Sequence, residues 1–66
     1  MSIRQMNGKP FTHFSYADFG TPGRRTRVGR HTSRETAERA VRVMRRSAIY
    51  GRLWIENTLG DSFEVA

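Results

Sequence analysis

The strongest structural signal in the chain is the stretch TSRETAERAVRVMRRSA, residues 32–48. Thr32 followed three positions later by Glu35 has the form of a capping box, in which each side chain satisfies a free amide at the start of a helix. Apolar residues then recur at the three-and-four spacing of one buried helical stripe, which consists of Ala37, Ala40, Val41, Met44 and Ala48. The stretch therefore predicts an amphipathic helix, with Gly51 ending it or the loop that follows.

Strand-like segments flank this helix on both sides. Residues 11–19 and 25–31 are separated by Gly20-Thr21-Pro22-Gly23, in which proline and glycine favour a tight turn. Residues 52–57 alternate apolar and polar side chains, and a turn at 58–61 leads to a short return strand at 62–65. We therefore expect an α+β fold of the ββαββ type: two hairpins forming a four-stranded, mostly antiparallel sheet, with one amphipathic helix packed on one face.

The period-two pattern of the strands predicts which side chains face the helix. The expected core is Phe14, Tyr16, Val28, Ala37, Ala40, Val41, Met44, Ile49, Leu53, Ile55, Phe63 and Val65. The residues expected on the opposite face of the sheet are Arg25, Arg27, Gly29, Arg52, Trp54 and Glu56.

Length and composition limit the classes of protein to consider. The 66 residues suffice for one small α+β domain, expected over residues 11–66 after a lightly ordered lead-in over residues 1–10. Cysteine is absent, and no apolar run approaches the roughly 18 residues of a membrane span. Without a signal peptide either, we expect a cytoplasmic protein with no membrane partner. A domain this small buries only about 60% of its unfolded surface, so a homodimer is one plausible way to add stability.

Charge is concentrated in the middle of the chain. Residues 24–52 hold ten of the eleven arginines and only two acids, so this segment has a net charge of +8. The whole chain has a net charge of +6. Residues 53–66 carry three acids and no basic residue. A basic segment on so small a domain attracts polyanions.

The sequence offers little for catalysis or metal binding. The six acids are scattered, and Glu35 and Glu38 are expected to pair with helix arginines four positions on. His13 and His31 can approach each other across the first hairpin, but they lack the third ligand that a metal site needs. We therefore expect a protein that is not an enzyme and binds no cofactor or metal.

Two groups of arginines are candidates for contacts to nucleic acid. On the sheet, arginines beside Trp54 would form a mixed aromatic and cationic surface of the kind that binds single strands, unless Trp54 is covered by the N-terminal segment or a second subunit. On the helix, arginines would lie near phosphates, or else form a solvated face paired with glutamates. Arg24 joins them from the tip of the first hairpin. The predicted nucleic-acid-binding residues are Arg24, Arg25, Arg27, Arg39, Arg42, Arg46, Arg52 and Trp54.

Two resemblances bear on function. Residues 28–44 resemble the strand and capped helix of peptidoglycan-binding SPOR repeats over 17 residues, but that family has a second helix and is usually exported, so no binding residue is carried over. The short length and the arginine bias are similar to those of orphan accessory proteins of actinobacterial phages. That resemblance implies a protein that binds a component of the host, in the bacterial host cytoplasm.

Two hypotheses follow from these observations. The first is a small basic protein that binds nucleic acid through an arginine-rich surface. The second is a phage-type interaction module that binds a host protein with an acidic surface, with a homodimer that uses Trp54 as a variant of it. Arginine and aromatic residues serve both kinds of interface, so composition does not separate them.

Overall fold

A computed structural model of the chain describes residues 10–65. The predicted lead-in, residues 1–10, lies outside the described residues except for Pro10. The elements are β1 (His13–Ala17), β2 (Thr26–His31), α1 (Arg34–Met44), a 3₁₀ turn (Ala48–Tyr50), β3 (Leu53–Asn57) and β4 (Ser62–Phe63). The predicted α+β fold with two hairpins around one helix is confirmed. Across residues 10–65, no helix has the length and apolar character needed to cross a membrane.

The four strands form one sheet in the order β2-β1-β3-β4, and every neighbouring pair is antiparallel. Both β2 and β3 pair with β1, so the chain passes over β1 between them, and α1 makes this connection. The helix contacts β1, β2 and β3 on one face of the sheet. The six-residue strand β2 and the two-residue strand β4 are the edges.

The helix begins one residue later than the capping box predicted. Ser33 is the N-cap, with an extended backbone, and its hydroxyl accepts a hydrogen bond from the Thr36 amide at 3.2 Å. The prediction of Thr32 as the cap was therefore wrong, and the exposed Glu35 pairs with Arg39 instead of capping the helix. The helix ends at Met44, so the predicted stripe residue Ala48 lies in the 3₁₀ turn that follows.

The core between α1 and the sheet is small and made mostly of short side chains. Its buried members are Ala17, Ala37, Val41, Leu53, Ile55 and Val65, and the half-buried Val28, Met44 and Phe63 pack against them. Tyr16 is buried as predicted, at 4% exposure, but the prediction that Phe14 and Tyr16 pack against the helix was wrong, because β1 turns Ser15 and Ala17, both 0% exposed, towards it. Ile49 was also predicted in the core but is 67% exposed, because it lies in the 3₁₀ turn beyond the end of α1.

A β-bulge in β2 changes which of its side chains share a face. Tyr16 pairs with Arg27 and Ser15 pairs with Gly29, so Val28 is an extra residue in β2. Because of this insertion, Arg27 and Arg30 lie on the same face of the sheet although they are three positions apart. Gly29 faces the helix side, contrary to the prediction, and a Cβ there would lie 2.6 Å from the Ser15 hydroxyl.

Candidate nucleic-acid interface

The face of the sheet that α1 leaves uncovered, called the open face below, carries alternating aromatic and charged side chains. On β1 and β3, Tyr16 stacks beside its cross-strand partner Trp54, with ring centroids 6.0 Å apart and an interplanar angle of 17°. Arginines from β2 and its approach, and from the residue before β3, surround these rings. The residues of the open face are Phe14, Tyr16, Arg25, Arg27, Arg30, Arg52, Trp54 and Glu56, with Phe11 at its edge.

Each open-face arginine lies over an aromatic ring. The distances from guanidinium carbon to ring centroid are 4.2 Å for Arg25 over Tyr16, 4.5 Å for Arg27 over Phe14, 5.0 Å for Arg30 over Phe11 and 5.4 Å for Arg52 over Trp54. These distances fall within the roughly 6 Å range of cation–π attraction. Tyr16 is only 4% exposed, although no helix or strand within residues 10–65 covers this side of the sheet. The arginines therefore cover the aromatic rings, and the contacts with the rings restrict the positions of the guanidinium groups.

Glu56 lies among these arginines and neutralises one of them. Its carboxylate accepts hydrogen bonds from Nη2 of Arg25 at 2.7 Å and from Nε of Arg25 at 3.0 Å. The indole Nε1 of Trp54 donates to the same carboxylate at 2.8 Å. The hydrogen bonds from Arg25, supported by the one from Trp54, lower the pKa of Glu56 below its usual value. Arg52 is neutralised in the same way, because its guanidinium forms an ion pair with Glu64.

Arg27 and Arg30 are the open-face arginines that pair with no carboxylate of residues 10–65. Arg27 donates weak hydrogen bonds to the Tyr16 hydroxyl, at 3.3 and 3.4 Å. Both residues line a groove of about 420 Å³ at the bulge, together with Phe11, Val28 and Gly29. This groove is therefore cationic, half apolar and open to solvent.

Arg30 was not among the predicted site residues. Strict alternation along β2 would place it on the opposite face from Arg27, and only the bulge brings the two together. The sequence contains one hint of this irregularity: Gly29 lies inside a strand, where glycine often marks a bulge or a close backbone approach.

The other predicted site residues lie elsewhere. Arg24 lies over the Phe19 ring at 5.3 Å and donates to the Thr26 hydroxyl, at the end of the first hairpin. On the helix layer, Arg39 and Arg42 pair with Glu35 and Glu38, each at 3.5 Å. Arg46 follows α1 and is exposed, with no carboxylate partner in residues 10–65. The structure therefore brings Arg25, Arg27, Arg52 and Trp54 together, and separates them from the arginines of the helix.

The two histidines meet across the first hairpin, as predicted, in the cross-strand pair His13–His31. His31 is buried, and its Nε2 lies 3.0 Å from the hydroxyl of the fully buried Ser15. Burial lowers the pKa of His31, and the neighbouring His13 lowers it further. Among residues 10–65, no group of three histidine or acidic side chains is arranged to hold a metal ion.

Comparison of the chain with protein-family models, with curated proteins and with solved structures found no match. Function must therefore be inferred from the chemistry of the open face itself.

Proposed function

We propose that this protein binds nucleic acid through the open face of its sheet, with Arg27 and Arg30 as the phosphate contacts. The observation that carries the proposal is that Arg27 and Arg30 line one groove and that neither guanidinium has a carboxylate partner in residues 10–65. A guanidinium presents five donors in a fixed fork that matches phosphate oxygens.

The aromatic rings support the same proposal. Because Arg27 lies over Phe14 and Arg30 over Phe11, each guanidinium is already restricted before a ligand arrives. Restricting a long side chain in advance reduces the entropy lost on binding, which is about 0.5–1.5 kcal/mol for a flexible side chain. The N–H edges of a stacked guanidinium remain available to donate hydrogen bonds, so stacking and phosphate binding are compatible.

A binding role without catalysis fits the positions of the acids. All six acids of the chain lie within residues 10–65, and each is engaged by a hydrogen bond or an ion pair. Asp18, for example, accepts the backbone amides of Gly20 and Arg52 at 2.9 and 2.8 Å, and these bonds lower its pKa. Carboxylates used in this way are poor candidates for general acid–base catalysis.

The test is a binding titration against salt. Each phosphate contact is expected to contribute about −0.9 to the slope of log affinity against log salt, so two contacts predict a slope of about −1.8 on duplex DNA. With the electrostatic gain taken to vanish near 1 M salt, the double variant Arg27→Gln/Arg30→Gln should lose roughly 60-fold in affinity at about 0.1 M salt.

A matched control separates a specific surface from net charge alone. Arg45→Gln/Arg46→Gln removes the same two charges, also from arginines without carboxylate partners in residues 10–65, at the end of the helix. We expect this variant to keep its affinity within about threefold, because these arginines follow the helix, which packs on the other face of the sheet, and exposed charges are strongly screened at about 0.1 M salt. Equal losses in the two variants would refute the assignment to the groove, and no binding by the wild type at about 50 mM salt would refute the proposal itself.

The second candidate, a protein partner with an acidic surface, is favoured by one observation. Arg25 and Arg52 already bind carboxylates within the chain, and side-chain carboxylates of a partner could take the same positions. Affinity capture from bacterial lysate with and without nuclease distinguishes the two candidates. A partner that survives nuclease treatment and competes with DNA for Arg27 and Arg30 would favour the protein ligand.

A further inference from the structure

We infer that the ligand of the open face is a double-stranded nucleic acid held by its phosphates, and not a single strand held by stacked bases. This inference rests on the proposed function and adds to it the class of nucleic acid. It differs from the sequence-based expectation, in which bases stack on aromatic rings beside the arginines.

The rings of the open face are not free to stack on bases. Tyr16 is 4% exposed beneath Arg25 and Arg27. Trp54 is half-buried, with Tyr16 beside it, Arg52 over its ring and its Nε1 engaged by Glu56. Proteins that read single strands on a sheet stack two or three bases on exposed aromatic side chains.

Phe11 is the most exposed aromatic side chain within residues 10–65, at 46%, and Arg30 lies over it. One partly covered ring at the sheet edge gives a single strand little to stack on. A single strand would therefore have to displace arginines from their rings before its bases could bind, and it would lose cation–π contacts in doing so.

The two free cations are held close together on one strand of the sheet. Arg27 and Arg30 are three residues apart in β2, so their Cα atoms are separated by at most about 10 Å. Both side chains can therefore reach the phosphate backbone of one duplex. Cations fixed on a sheet gain most from phosphates that are also fixed, because a flexible single strand must first be ordered.

The experiment compares a labelled DNA duplex of about 20 base pairs with one of its strands at about 0.1 M salt, while the emission of Trp54 is followed. Trp54 is the single tryptophan of the chain, so the signal has one source. We expect the duplex to bind at least about 2.5-fold more tightly, the difference that counterion release alone predicts for two contacts between about 1 M and 0.1 M salt. We also expect neither DNA to quench Trp54.

The outcomes separate this inference from the proposed function. Equal or tighter binding of the single strand, or quenching of Trp54 by either DNA, would overturn the inference and leave nucleic-acid binding intact. Failure of both DNAs to bind, here and when the salt is lowered to about 50 mM, would remove the proposed function. Repeating the titration with Arg27→Gln/Arg30→Gln should abolish most of the preference for the duplex, whereas Arg45→Gln/Arg46→Gln should retain it.

Discussion

Glu56 is predicted to weaken the binding of polyanions, so removing its charge should strengthen it. In the free protein the carboxylate holds both Nε and Nη2 of Arg25, and it occupies the position that a phosphate would need. The variant Glu56→Gln keeps the shape of the side chain and an acceptor for the Trp54 indole, but it no longer neutralises the guanidinium. Arg25 then becomes a third available cation on the open face, beside Arg27 and Arg30.

The size of the effect follows from counting phosphate contacts. One additional contact should steepen the salt slope by about 0.9, from about −1.8 to about −2.7. At about 0.1 M salt this corresponds to roughly an eightfold gain in affinity for duplex DNA. The variant should also be slightly less stable to urea, because the ion pair with Arg25 is lost.

The assay is fluorescence anisotropy of a labelled duplex over a series of salt concentrations. Glu35→Gln is the matched control, since it changes the net charge by the same amount and frees Arg39 on the helix layer. It should leave both the slope and the affinity nearly unchanged. If Glu56→Gln does not exceed this control, Arg25 does not become a phosphate contact, and the prediction that Glu56 weakens binding at the open face is wrong.

Two further predictions concern stability. Gly51 has a φ of +65°, and a Cβ there would overlap the backbone of Gly20 and the Asp18 carboxylate. Gly51→Ala should therefore cost about 2 kcal/mol or more by urea unfolding, against about 1 kcal/mol for the control Gly60→Ala, where φ is also positive but the space is open. A smaller loss at Gly51 would contradict this packing. The pKa of His31 is lowered in the folded protein. The contribution of His31 to the free energy of unfolding is therefore complete above the ordinary pKa near 6.5, and it is lost as the pH falls through the folded pKa. Urea unfolding at about pH 7.5 and 5.5 should show this loss for the wild type, and His31→Gln should show less of it; an equal dependence in both would refute the role of His31.

The order of elements could be predicted from sequence because each has a strong local signal. The spacing of Ala37, Val41 and Met44 predicts the helix, and the alternation of Leu53 and Ile55 predicts the inward face of β3, which the structure confirms. Turn residues between the strands then require hairpins. These signals act over a few positions and need no knowledge of the partners in space.

Such local signals could not predict which side chains of β1 face the helix. A period of two separates Phe14 and Tyr16 from Ser15 and Ala17, but it does not say which pair faces the helix. Aromatic rings normally suit a core better than serine and alanine do. Here the small pair allows Ala37 and Val41 of the helix to approach the sheet, while arginines cover the rings on the other side. The deciding interaction is between distant parts of the chain.

Four of the eight predicted site residues lie together on the open face. Arg30, which was not predicted, joins them because of the bulge. Arg25, Arg27, Arg52 and Trp54 were expected on the outer face because of alternation, and the structure places them there. Arg30 joins them only because Val28 is an additional residue in β2. After an extra residue in a strand, every later side chain lies on the opposite face of the sheet from the one that strict alternation predicts. One bulge therefore changes which residues form a surface more than a single substitution would.

Net charge overstates how strongly this protein should bind a polyanion. Residues 24–52 carry +8, which would predict a slope near −7 if every unit of charge met a phosphate. Five of the ten arginines in that segment pair instead with glutamates, and the rest are divided among the open face, the hairpin end and the segment after the helix. Two cations on one rigid face then predict weak, salt-sensitive binding with a slope near −2. A measured slope near −7 would mean that carboxylates yield their arginines to the ligand, and that the ion pairs of the free protein do not survive in the complex.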